Sequence, residues 1–338
     1  MSLNVGIMPD KILNIGLIGA GAIARQAYLP LLKDVSGLKL TAVVEPDKKI
    51  RASLTGQYPL TYLGDDLNTA MEHVDAVIIC VPNFLHYHVA RLCLERGKHV
   101  LCEKPVCTKV DDGEDLVMMA KERSLVFTVA HVRRFHPAVK KIKDIIAGNS
   151  LGVLKGFDFR EGTVFNWPTV TGFLFDKDKA GGGVLMDIGV HLLDLLFWWI
   201  DEDVSLIKYA DDNLGGVEAT AEIQMTFKNG ISGHVKLTRL SVLKNFYTLY
   251  FEKGAISWNP FMPRRIYIRK TNEKMTSLTM GRGIPVRDLL RDFSLAIRDK
   301  RPPLIKGEEA VKALQFIEGC YASRQSIPMP WLKVQALI

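Results

Sequence analysis

The chain lacks the marks of several protein classes. It has only five cysteines, Cys80, Cys93, Cys102, Cys107 and Cys320, an odd number with no C-x-x-C pair. Buried, reduced thiols account for them most simply, and a zinc or other metal site would need better ligand spacing. No apolar run reaches the ~18 residues of a membrane span, and no signal-peptide pattern opens the chain. The expectation is a soluble cytoplasmic protein with no membrane partner and a loose N-terminus over 1–10. There is no internal repeat and no low-complexity tract. Charge is not concentrated either. The formal charge of +7 is spread along the sequence, and the densest basic patches, KKIK from Lys140 and RRIYIRK from Arg264, are short. Solvated faces explain them, without a nucleic-acid motif, and the surplus is compatible with an anionic cofactor or substrate.

What is present is an apolar content of 48% over 338 residues, enough for a sizeable core and for two domains. Over the first 130 residues strand and helix signals alternate. KILNIGLIG, LKLTAVVE, DAVIICVP, KHVLCEKP and LVFTVAHV read as strands. Helical stretches at Ala22–Lys33, FLHYHVARLCLERG and DDGEDLVMMAKERS separate them. Continuous apolar strands alternating with helices predict a parallel sheet covered on both faces. After about residue 150 a strong helix near Gly183–Trp199 precedes VEATAEIQMTF, GISGHVKLTRL, NFYTLYFEKGAISW and RRIYIRK. These read as strands, with turns at KNG and EKG. Two late helices, Val286–Arg298 and Glu308–Arg324, follow. The fold class expected is α/β. A doubly wound Rossmann domain over 11–132 is followed by an α+β domain over 133–338 with an open, mainly antiparallel sheet.

The stretch GLIGAGAIARQAYLP contains G-x-G-x-x-A between a strand and a helix. In that context Gly19 permits a tight turn, Gly21 lets backbone approach a pyrophosphate, and Ala24 packs helix against strand. The N–H groups around Ala22 and Ile23 open the helix toward phosphate. Glu45 ends the next strand, where a carboxylate can hold the adenosine ribose hydroxyls. The cofactor expected is therefore NAD, with NADP less favoured. Lys48, Lys49 and Arg51 follow Glu45, and one of them could pair with a 2′-phosphate. Pro46 and Asp47 are expected to turn the chain into a helix that carries them away.

Asp187 and His191 are four residues apart on one predicted helix and share a face. A satisfied polar pair beside the core would look the same. Lys104 follows a parallel strand, where ligands bind in such sheets, though a solvated loop charge is the common alternative.

With the glycine turn, the stretches VPNFLHYHVARLCLERGKHVLCEKP and GGGVLMDIGVHLLDLLFWW resemble the Gfo/Idh/MocA family of NAD(P)-dependent oxidoreductases. The similarity runs over nearly the whole chain, including DFSLAIRDKRPPLIKGEEAVKAL. The resemblance implies hydride transfer between a nicotinamide and a ring hydroxyl or ketone of a sugar, sugar derivative or cyclic polyol. A sugar nucleotide is a subcase. It makes Lys104, Asp187 and His191 the catalytic set. His191 is the general base, Asp187 orients it or touches substrate, and Lys104 stabilises charge on the reacting oxygen. Which of Lys104 and His191 takes the proton stays open. Val81, Pro82, Asn83, His86 and Glu103 match the cofactor stretch, with His86 equally readable as a buried helix-start residue. Arg134 matches an arginine near nicotinamide or substrate, or is a surface ion-pair partner. Trp167 and Tyr28 are candidate pocket walls, although such aromatics are more often core. A homodimer or homotetramer is implied. The rival functions are a non-catalytic dinucleotide-binding regulator, and an enzyme acting on an imine, dihydrodiol or linear tetrapyrrole.

Overall fold

The computed structural model describes residues 12–168 and 171–328, so the N-terminal stretch expected to be loose lies outside the described residues. The chain divides into two compact units. One contains 12–107, 111–132 and 284–310, the other 108–110, 133–283 and 311–328.

The first unit is built on β1 (Leu13–Ile18), β2 (Leu38–Val44), β3 (Tyr62–Gly64), β4 (Ala76–Ile79), β5 (His99–Cys102) and β6 (Phe127–Val129). All are parallel, in the order β3-β2-β1-β4-β5-β6. The apolar runs become strands buried on both faces: Ile15, Leu17, Val77, Ile78, Val100 and Leu101 are fully enclosed. Strand order reverses between β1 and β4, which is where open α/β sheets bind ligands. Backbone hydrogen bonds line up the carboxyl edge there. Gly19 N–H donates to Val44 O at 2.8 Å, Cys80 N–H to Ile18 O at 2.7 Å, and Glu103 N–H to Ile79 O at 3.0 Å. The helix Pro285–Arg298 belongs to this unit, and Thr128 Oγ1 donates to Ile305 O at 2.7 Å.

The second unit carries β7 (Leu154–Gly162), β8 (Val204–Asp211), β9 (Thr220–Phe227), β10 (Ser232–Thr238), β11 (Phe246–Phe251), β12 (Gly254–Trp258), β13 (Arg265–Lys270), β14 (Thr276–Thr279) and β15 (Gln325–Ser326). They form one sheet in the order β14-β13-β12-β11-β7-β10-β9-β8-β15. It is antiparallel except at β7–β10 and β8–β15. The helix 184–200 is the apolar spine of this unit: Leu192, Leu193, Leu195, Leu196 and Trp199 are buried. Phe159 of β7 meets Trp199 edge-on at 6.0 Å and stacks on Tyr247 of β11 at 4.7 Å. The stretch Lys177–Ile200 is long and apolar enough to cross a bilayer, but 72% of its most apolar window is buried, as in a core helix.

All five cysteines are buried and unpaired. Burial pushes the Cys93 and Cys320 thiols up to about 12, so at neutral pH they are inert.

Candidate active site

In the first unit the glycine turn has the geometry its sequence implies. Gly19 has φ +86°, and a Cβ there would lie 2.7 Å from Cys80 O. Only glycine fits without strain. Gly21 is different: a Cβ there would meet nothing within 4 Å. Gly21 directly precedes the helix 22–32. The first N–H groups of that helix lack intrahelical partners, as at any helix start. Ala24 is fully buried and opens a π-turn over Ala24–Tyr28 within that helix.

Glu45 is 6% exposed. Its carboxylate accepts from Ala20 N–H and Asp47 N–H, both at 2.8 Å. One bond to each oxygen leaves a carboxylate further acceptor capacity. Glu45, directly after β2, therefore braces the glycine turn. Asp47 caps the helix Lys48–Leu54 by accepting from Lys49 N–H at 2.7 Å. The helix does not carry Arg51 away from Glu45. Its guanidinium curls back to Glu45 O and, at 3.0 Å, to Pro46 O. The reason is that position 51 is one turn into the helix, level with the carbonyls that precede it.

Lys104 is half-buried just beyond β5, before a cis peptide to Pro105. Glu103 beside it accepts from Tyr28 Oη–H at 2.6 Å and from Lys104 N–H at 3.2 Å. Burial raises the Glu103 carboxyl above its usual range, opposed by Tyr28 and Lys104. Tyr28 is fully buried, so it supports Glu103 and does not line a pocket. His86 is 1% exposed. Its ring spans Pro105 O (Nδ1, 2.7 Å) and Val81 O (Nε2, 2.9 Å), tying together the loops after β4 and β5. His86 is buried at the first position of the helix His86–Glu95. Asn83, 9% exposed, opens the short 3₁₀ turn before it.

In the second unit Asp187 and His191 lie on the helix 184–200, whose first turns are wound as a π-turn over Leu185–Gly189. Such bulges redirect side chains and recur at functional sites. Both residues are half-buried, at the edge of the apolar spine. The glycines before the helix serve packing. A Cβ on Gly183 would lie 1.9 Å from Glu218 O, and one on Gly182 would lie 2.0 Å from the Tyr321 hydroxyl oxygen. Glu218, 2% exposed, caps this helix end. It accepts from Gly183 N–H at 2.8 Å, Leu185 N–H at 2.9 Å and Tyr321 Oη–H at 2.9 Å. Burial raises its carboxyl above the usual range, and these donors pull the other way. Glu218→Ala strands buried donors, so it should cost on the order of 2 kcal/mol. A lowered Tm would show it; an unchanged Tm would mean the cap contributes nothing.

Two further residues differ from expectation. Arg134 is 1% exposed. It forks onto Asp194, with Nε–Oδ2 at 2.9 Å and Nη2–Oδ1 at 2.7 Å, and lies over Trp198. It is an internal ion-pair partner and not a surface one, and the bidentate carboxylate is what a buried guanidinium needs. Trp167 is 43% exposed, in the irregular stretch after β7. Asp187 has a partner that sequence reasoning missed: Arg239 Nη2 lies 2.5 Å from its Oδ2.

A family profile described as "Oxidoreductase family, NAD-binding Rossmann fold" matches residues 13–131, and a "GFO/IDH/MocA C-terminal domain" profile matches 139–257. The chain belongs to the Gfo/Idh/MocA oxidoreductase family. Among Gfo/Idh/MocA relatives it is 28% identical over 226 residues to a 1,5-anhydro-D-fructose reductase of Ensifer adhaerens, covering 64% of this chain and 66% of the reductase. Levoglucosan dehydrogenase in complex with NADH and levoglucosan has a TM-score of 0.82 at 20% identity, covering 93% of this chain and 97% of that one. A 3-ketoreductase from Actinomadura kijaniata in complex with NADP and TDP-benzene has a TM-score of 0.83 at 20% identity, covering 95% and 100%. At such identities the two structures establish the shared Gfo/Idh/MocA fold.

Proposed function

We propose that the chain is an NAD-dependent dehydrogenase or reductase. It moves a hydride between nicotinamide and a ring CH–OH or ketone of a sugar, sugar derivative or cyclic polyol. The observation that carries this is the open cradle at Gly21, in a chain that also presents Lys104 and the Asp187–His191 face. Bound nicotinamide supplies the hydride acceptor. The chain supplies the rest. Gly19 and Gly21 shape the phosphate turn, braced by Glu45. His191 takes the alcohol proton as general base. Asp187 orients it. Lys104 donates to the reacting oxygen as negative charge develops. Support for a saccharide substrate comes from the sugar-directed names of the relatives. The decisive experiment is a panel of sugars, polyols and sugar nucleotides with NAD or NADP, followed by absorbance of the reduced nicotinamide. No turnover across that panel would refute the saccharide reading. The assembly in this reading is a homodimer or homotetramer, which light scattering measures directly.

Cofactor choice turns on Glu45. A carboxylate beside the ribose accepts from both hydroxyls of NAD and repels the 2′-phosphate of NADP by about 1 kcal/mol or more. Arg51 sits on the backbone of the same turn and works in the opposite direction. The expected preference is NAD. Glu45→Ser should weaken both cofactors, because Ala20 N–H loses its brace, and should narrow their ratio. The kcat/KM ratio for NAD against NADP tests this. A wild-type preference for NADP, or an unchanged ratio in the variant, would show that Glu45 does not read the ribose.

A further inference from the structure

Arg239 directly follows β10 and has no part in the chemistry above. Its guanidinium reaches Asp187, and the two side chains differ sharply in exposure: 5% for Arg239 and 28% for Asp187. The ring of Phe165 covers it, with the guanidinium carbon 5.1 Å from the centroid. Its backbone is pinned from both sides. Arg239 N–H donates to Ala219 O at 2.8 Å, and Phe165 N–H donates to Arg239 O at 3.0 Å. Its Nε is sealed from solvent.

An arginine in a saccharide enzyme could bind substrate directly or act through a neighbour. The burial decides between them. The cation is walled in by Phe165 and its own strand end, and the carboxylate in front of it is the accessible member of the pair. We infer that Arg239 is a positioning residue: it holds the Asp187 carboxylate in one orientation on the helix face that Asp187 shares with His191. This rests on the proposed function, in which that face carries the proton step. Physically, an aspartate carboxylate one-quarter exposed has several rotamers open to it. A charge-assisted bond from a rigid, buried donor selects one. Arginine suits the position because its planar cation can stack on Phe165 while one nitrogen reaches forward. Lysine offers the charge without the plane.

A double-mutant cycle tests the inference. The turnover of wild type, Arg239→Met, Asp187→Asn and the double variant is compared on a substrate found in the panel. Arg239→Met should lower kcat by roughly 10- to 100-fold, the scale of a small misplacement of a reacting group. In the Asp187→Asn background the same change should cost no more than about twofold, because the two residues act as one unit. Arg239→Lys should recover part of the rate. Equal losses in both backgrounds, or a normal rate in Arg239→Met beside a slow Asp187→Asn, would overturn the inference alone. A normal rate in Asp187→Asn would overturn the role of Asp187 and this inference with it. If Arg239→Met does not fold, Arg239→Lys run through the same cycle decides by the same criterion.

Discussion

His191→Ala should lower turnover by roughly 10²–10⁴-fold, the usual worth of general acid–base catalysis. NADH affinity, read by fluorescence, should stay at the wild-type value, because the imidazole belongs to the helix 184–200 and not to the phosphate turn. Lys104→Ala should also cripple turnover, by about 10²-fold or more, since the reacting oxygen loses a donor where its charge develops. The order of the two losses is informative. A larger loss at His191 makes the imidazole the proton acceptor. A larger loss at Lys104, with a mild effect at His191, moves that role to the amine. Near-normal rates in both variants would mean the catalytic set is wrong. Both side chains are half-buried, Lys104 just beyond β5 and His191 on the rim of the helix 184–200, so neither truncation should unfold the protein.

Gly21→Leu should abolish dinucleotide binding without harming the fold. The new side chain meets no protein atom near its Cβ, so Tm should hold. It would instead fill the space where the pyrophosphate approaches the backbone. Losing two hydrogen bonds to a charged group, each worth about 1.5–3 kcal/mol, predicts a drop in NADH affinity of ~10²-fold or more. Gly19→Ala is the contrasting variant. Its φ of +86° and the 2.7 Å approach to Cys80 O leave no room for a methyl group. It should therefore lower Tm, by disturbing the β1–β4 edge itself. Wild-type NADH affinity in Gly21→Leu would refute the placement of the cofactor.

Much of this protein was legible before folding. G-x-G-x-x-A between an apolar strand and a helix specifies a tight turn, and the structure shows why at Gly19, where a Cβ would lie 2.7 Å from Cys80 O. Uninterrupted apolar runs specified parallel strands, because only a strand covered on both faces needs no polar side. Some signals went unread. In β7, Phe157 and Phe159 alternate with Asp158 and Arg160, a period-2 pattern that marks a half-buried strand. That strand is central, pairing with β10 on one side and β11 on the other.

The partners of the charged and polar groups had no local signature. Tyr28 finds Glu103 across 75 positions, Arg134 finds Asp194 across 60, and Arg239 finds Asp187 across 52. Glu218 reaches back 35 positions to Gly183. Likewise the segment 284–310 joins the first unit although it follows every strand of the second unit's sheet except β15. The division has one cause. Turn conformation, periodicity and capping depend on residues within a helical turn or a strand pair, so neighbours in the chain settle them. Which carboxylate neutralises a buried guanidinium depends on which turn or strand end the fold lays against which helix face. That is a property of topology, and it exists only once the chain has folded.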